Sequence, residues 1–174
     1  MSPGIEPRFL TRATVEAIHE EQIDTYGGLH GVRDENALES AIAAAQNVHH
    51  YGGGDVYEVA AAYALHLAES QAYFDGNKRT GVQAAVVFPE ACGVDTSPLQ
   101  ARPTYDLMIK IAAHEAGRSD FADYLRSELG REQTPDWREP LKDEEALRQA
   151  EQRRQEQQER SNEGPVKGEG GRET

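Results

Sequence analysis

From Phe9 to Leu129 the apolar residues recur at intervals of three and four, a spacing that predicts one helix after another. Thr11 or Thr14 caps a first helix whose stripe is Val15, Ile18, Ile23 and Tyr26, and Gly27-Gly28 ends it. Asp34 caps a second, in which Leu38, Ala41, Ile42 and Ala45 share one face. A Gly52-Gly53-Gly54 turn leads to a long third helix that begins near Asp55 and carries Val56, Val59, Ala60, Tyr63 and Leu67. Its many alanines permit close packing on every side. After a break at 74–77, Val82, Ala85, Val86 and Phe88 form another buried face until Pro89, which ends or kinks the helix. Two further helices, about 104–115 and 119–129, present Met108, Ile111 and Ala112, then Phe121, Ala122, Leu125 and Leu129. Apart from short loop strands, no stretch alternates with period two. The expected class is all-α, a compact helical bundle.

The periodicity stops near Gly130. Between Glu144 and Arg160 the apolar side chains are Ala146, Leu147 and Ala150, too few to bury a face. Residues 131–174 are therefore expected to form a charged tail, partly helical or disordered, which leaves 8–130 as the folded domain.

Charge narrows the function. Eighteen Lys and Arg against 31 Asp and Glu leave a net −13, and no basic stripe is visible to neutralise a nucleic-acid backbone or an anionic membrane. No apolar run approaches the roughly 18–20 residues of a membrane span. Residues 1–9 lack an apolar secretion core. The single Cys92 excludes an intramolecular disulfide and a cysteine-based zinc cage. The expected address is the cytoplasm. Arginine dominates the basic residues, which fits a salt-rich cell and a GC-rich genome alike.

The stretch least like helix filler runs from Gln71 through Asp75, Gly76, Asn77, Lys78 and Arg79 to Thr80. A long apolar helix ends, a Gly and an Asn turn the chain, and a new helix starts at once. Unpaired N–H groups and the positive end of the dipole make such a start attractive to anions. Gly76 admits a close ligand, Lys78 and Arg79 add charge, and the Arg79 fork suits phosphate oxygens. Asp75 is placed to hold Mg²⁺ against those phosphates. Turn chemistry alone is explained as well by a plain interhelix turn with solvated Lys and Arg. GxxxxGK[ST], GxGxxG and HExxH are all absent, which removes P-loop, Rossmann and zinc-hydrolase readings.

The string Asp75-Gly-Asn-Lys-Arg-Thr80, following an amphipathic helix, resembles the core motif of the Fic/Doc (Fido) superfamily. The upstream segment, with its Tyr26-Gly-Gly and its Arg33-Asp34 followed by Leu38-Glu-Ser-Ala41, is similar to the amino-terminal part of death-on-curing (Doc) proteins. The resemblance extends over about 9–129. The superfamily motif, His-x-Phe-x-Asp/Glu-Gly-Asn-x-Arg, places its aromatic at Tyr73, its acidic metal residue at Asp75, its anion-hole turn at Gly76 and Asn77, and its phosphate-binding Arg at Arg79. Lys78 stands where Doc-type members have Lys, and Val82 stands where adenylylating members have a second Arg, so the Doc branch is implied. The best-known member there phosphorylates elongation factor Tu using ATP, and its antitoxin blocks the site with a helix. That member has Ala at the Gly76 position, which leaves the transferred group open.

The catalytic His of the motif falls on Gln71. A carboxamide has no pKa near neutrality and cannot act as a general base. His66 lies about 140° around the helix from Gln71 and is a poor substitute, while His49 and His50 sit in a loop near the substrate side. His19, His30 and His114 read as structural or exposed, and Glu39 as a surface or ion-pair residue. No Ser/Thr-x-x-x-Glu-Gly/Asn inhibitory string is found, so inhibition is expected in trans. The resemblance implies a Doc-like toxin component that uses ATP and Mg²⁺ to move a phosphoryl, less readily a nucleotidyl, group to a hydroxyl of a translation protein. The alternative is a catalytically silent Fido module that binds a nucleotide or a protein partner.

Overall fold

A computed structural model of the protein describes residues 7–130 and, beyond them, the helical positions Gln152 and Gln155. The charged tail expected over 131–174 otherwise lies outside the described residues. Six helices follow one another: α1 (Arg12–Tyr26), α2 (Glu35–His50), α3 (Val56–Ser70), α4 (Asn77–Ala91), α5 (Ala101–Ala112) and α6 (Arg118–Glu128). The only β feature among the described residues is one antiparallel bridge between Val32 and Tyr73. The fold is all-α, a helical bundle as expected.

Local chemistry sets the helix ends. Thr11, rather than Thr14, caps α1 by accepting from the Thr14 N–H, and Gly27 at φ 85° closes it with its N–H on the Ile23 carbonyl. Asp34 accepts from the Ala37 N–H at the start of α2. At α3 a capping box joins Asp55 and Glu58: the Asp55 carboxylate accepts from the Tyr57 and Glu58 N–H groups, and Glu58 accepts from the Asp55 N–H.

The centre of the bundle is α3. Val56, Tyr57, Val59 to Ala64 and Leu67 are all buried, so this helix is covered on most sides. It packs most extensively against α4, then α2 and α6, while α1 lies on α4. The α3–α4 crossing is close because Gly81 has no side chain: a Cβ there would stand 2.5 Å from the Ala64 carbonyl oxygen and 3.2 Å from the Ala68 nitrogen. At the other end Phe88 meets Tyr63, with ring centroids 5.3 Å apart, and Phe9 stacks over Phe88 at 6.1 Å. The Tyr63 hydroxyl accepts the Leu10 N–H, which ties the chain before α1 to the core.

Some expectations are corrected. The buried face of α4 is Thr80, Gly81, Ala84, Ala85 and Phe88, whereas Val82 and Val86 are half-buried and line a groove. Tyr26 is 70% exposed, because the last turn of α1 projects past the core. Pro89 is buried within α4, in its last turn, and does not end the helix. The start of α5 is Ala101, because Pro103 falls in the first turn, where no N–H is needed. His114 at φ 60° stops that helix before Glu115.

Replacing Gly81 by Ala tests the crossing. Helix propensity alone favours Ala by about 1 kcal/mol. Overpacking costs typically about 1–3 kcal/mol, and here the obstacle is a backbone carbonyl. The variant is expected to be less stable by about 1 kcal/mol in urea unfolding, and a raised midpoint would refute the tight packing.

Candidate functional site

Residues 71–76 join α3 to α4 and are pinned mainly by backbone bonds. The Arg33 and Asp34 N–H groups both donate to the Ala72 carbonyl, at 2.7 and 3.0 Å, and the Phe74 N–H donates to Gly31. The Asn77 side chain closes the loop from within, accepting the Tyr73 N–H and donating to the Tyr73 carbonyl, each at 3.0 Å. Both ends of the Asn77 amide, a residue that the motif assigns to the anion-hole turn, are thus engaged in the loop. Gly76 at φ 76° makes the turn, and Ile23 and Arg79 crowd the space where its side chain would lie.

This loop delivers an uncapped helix start. No side chain caps α4, and the N–H groups of Asn77, Lys78 and Arg79 have no partner among the described residues. A cavity of about 380 Å³ opens there, lined by Gln71, Asp75, Gly76, Asn77, Lys78 and Arg79, with Arg33 and Tyr105 also on its wall. The structure therefore brings together every site residue expected from the motif. Arg33, Lys78 and Arg79 against Asp75 make the lining +2, in a chain whose net charge is −13.

The individual side chains differ in how free they are. The carboxylate of Asp75 is half-exposed, accepts the Gly76 N–H at 2.7 Å, and comes within 3.8 Å of Arg79. Gly28 lies directly against it: a Cβ at Gly28 would be 2.5 Å from Oδ2. Arg79 donates to the Gln22 carbonyl at 3.1 Å and the Gly27 carbonyl at 2.9 Å, so part of the fork is spent on the carboxyl end of α1. Lys78 is exposed. Gln71 terminates α3 in the left-handed region, φ 49° and ψ 31°, and its Oε1 accepts from Arg33 at 3.4 Å.

Two neighbours were missed as parts of the site. His19 of α1 is buried, stacks face to face on Tyr73 with centroids 3.7 Å apart, and reaches the Asp75 carbonyl at 2.8 Å. Since a carbonyl only accepts, Nε2 carries the proton. Burial holds this imidazole below its ordinary pKa. The spacing of His19 on the α1 stripe was the available signal, and it read equally as core. The second is Arg33: Asp34 caps α2, and the arginine side chain turns to Gln71. His30 pairs with Asp24 at 3.0 Å, and Glu39 pairs with Arg12.

A larger groove, about 820 Å³, adjoins the first and shares Arg79 and Tyr105 with it. Val82, the position of the second motif Arg, lies on its wall beside Val86. Residues 9–89 match the Fic/DOC family. Over 126 residues the chain is 33% identical to the protein kinase doc of Escherichia phage P1, an alignment that spans 71% of this chain and 97% of that protein.

The chain belongs to the Fic/DOC family. The Fic/DOC segment runs from before α1 to the last turn of α4, and so contains every residue lining the smaller cavity except Tyr105. No helix among the described residues is long and apolar enough to cross a membrane.

Tyr73 offers a test of this packing. Its hydroxyl is buried with no partner among the described residues, and burial raises its pKa. An unsatisfied buried hydroxyl costs about 1–3 kcal/mol. Tyr73→Phe is expected to raise stability by about 1 kcal/mol in urea unfolding, and a loss of stability would show that the hydroxyl has a partner.

Proposed function

We propose that this Fic/DOC chain is a Doc-like toxin component that transfers a phosphoryl group from ATP to a hydroxyl on a translation protein, elongation factor Tu being the first candidate, with an antitoxin acting in trans. The observation that carries the reading is the cationic cavity around one half-exposed carboxylate, built at the uncapped start of α4 in a strongly acidic protein. The donor set fits the groups that such a reaction uses. One carboxylate plus phosphate oxygens suits Mg²⁺, which would be held by Asp75 and would neutralise developing charge. The N–H groups from Asn77 to Arg79, with Lys78 and the remaining donors of Arg79, would hold the phosphates. Gln71 would orient the acceptor hydroxyl by hydrogen bonding rather than remove its proton.

The silent-module reading rests on a specific observation as well. The carbonyl oxygen of Gln71, the atom through which it would accept a hydroxyl proton, already faces Arg33. Transfer of label from γ-labelled and from α-labelled ATP to elongation factor Tu or lysate proteins separates the readings and identifies the group moved. In the transferase reading, Gln71→His raises transfer by roughly 10²-fold, the contribution of a placed base. Nucleotide binding without transfer in either form supports the silent module.

Calorimetry tests what the two readings share. Mg²⁺-dependent ATP binding is expected, weakened about tenfold or more by Asp75→Ala through loss of the metal-holding oxygen. A wild-type protein with no affinity for nucleotide sinks the transferase and nucleotide-module readings together.

A further inference from the structure

The cavity has two cationic sides. On one, the first turn of α4 presents its N–H groups with Lys78 and Arg79. On the other, the end of α3 presents Gln71 with Arg33 beside it. Arg79 is partly committed to the carbonyls of Gln22 and Gly27, so it serves the first side from a fixed position. Arg33 is exposed, and its guanidinium makes no other hydrogen bond or ion pair among the described residues. Its backbone is not free, because the Arg33 N–H is held by Ala72 at 2.7 Å and the preceding Val32 bridges to Tyr73. The side chain therefore starts from a fixed point next to Gln71.

The chemistry of the pair follows from the contact. A guanidinium attracts the oxygen end of a carboxamide, so the Gln71 amide is turned with Oε1 to Arg33. The other end, an NH₂ with two donors, is left for a ligand. Arginine has further N–H donors in a planar fork that matches phosphate oxygens. The Arg33 and Gln71 side is thus made of donors alone, at a distance from the α4 N–H groups set by a cavity larger than one phosphate fills.

We propose that Arg33 is a specificity-determining residue of this cavity: it fixes the Gln71 carboxamide, and the pair recognises a second phosphate group of a polyphosphate bound at the start of α4. This rests on the nucleotide-binding reading above. It adds that the side of the cavity near Gln71 selects for the number of phosphates, and that Gln71 acts there as a donor to phosphate.

The test is calorimetry of the full chain with ATP, ADP and AMP in the presence of Mg²⁺, for the wild type, Arg33→Gln, Gln71→Ala and the double variant. Arg33→Gln is expected to weaken ATP about tenfold, the factor carried by one hydrogen bond to a charged group, and to change AMP by less than about twofold. Gln71→Ala is expected to lower the ATP-to-AMP affinity ratio as well. Because the residues act as a pair, the double variant should lose less than the product of the two single losses. Arg33→Lys, which keeps the charge but not the fork, is expected to recover part of the ATP affinity. Melting temperatures should be unchanged, since the Arg33 side chain is exposed and its backbone bonds remain. An unchanged ATP-to-AMP ratio in Arg33→Gln, or strictly multiplicative losses in the double variant, overturns the proposal and leaves nucleotide binding standing. A wild-type protein that binds none of the three overturns the proposal together with the reading on which it rests.

Discussion

The approach of α3 to α4 at Ala64 and Gly81 is the constraint on which the site depends. Gly81 brings two helix backbones to a distance that no side chain permits. With the helices that close, six residues suffice to join Ser70 to Asn77, and the joining segment has little slack. Its shape is then set by bonds to Ala72, Tyr73 and Asp75 from three different parts of the chain: the strand-like segment before α2, the start of α4, and His19 on α1. Most of these bonds use backbone atoms. The cavity is consequently held open by the backbone bonds to Ala72 and by two side chains, His19 and Asn77, of which Asn77 itself belongs to the lining.

Electrostatics work against the general trend of the chain. A surface rich in carboxylates repels polyphosphates at long range, with a reach of about 8 Å at physiological salt. Within that range the lining reverses sign, through Arg33, Lys78 and Arg79 and the dipole of α4. Arg79 has a double allegiance. Its bonds to Gln22 and Gly27 satisfy carbonyls at the end of α1, while its guanidinium stays close to Asp75. The turn that closes α1 is therefore part of the wall of the site. Gly28 belongs to it for a steric reason, as its missing side chain leaves room for the Asp75 carboxylate.

Much of this was legible from residue order. Helical spacing placed α1 to α4 and α6 closely, because each carries an apolar stripe, and Thr11, Asp34 and Asp55 mark the starts of α1, α2 and α3. It misplaced the start of α5, where Pro103 reads as a breaker unless its location in the first turn is known. Val82 and Val86 were assigned to the core by hydrophobicity, and only tertiary packing shows that α4 buries its smaller residues and leaves these valines on a groove. The cluster from Gln71 to Arg79 was legible because its chemistry is consecutive in the chain. Arg33 and His19 were not, since each reaches the loop from 38 and 56 residues away, and nothing local marks such a contact. The commitment of Asn77 to Tyr73 was hidden for a different reason: an amide four residues on serves a turn and a ligand equally well on paper.

Gln71 stands in a left-handed conformation, with its side chain in solvent and none of the backbone bonds that shape the loop running through it. Unbranched residues with a Cβ carry a similar penalty there, Asn, Asp and His somewhat less. Exchange of one such side chain for another at this position is therefore close to neutral for folding, whatever it does to reactivity. The bundle behaves as a socket into which different reagents can be fitted: an imidazole, a carboxamide or a simple hydroxyl would each be presented to the same phosphate-sized space. On this frame the side chain at position 71 can change without the fold passing through an unstable intermediate.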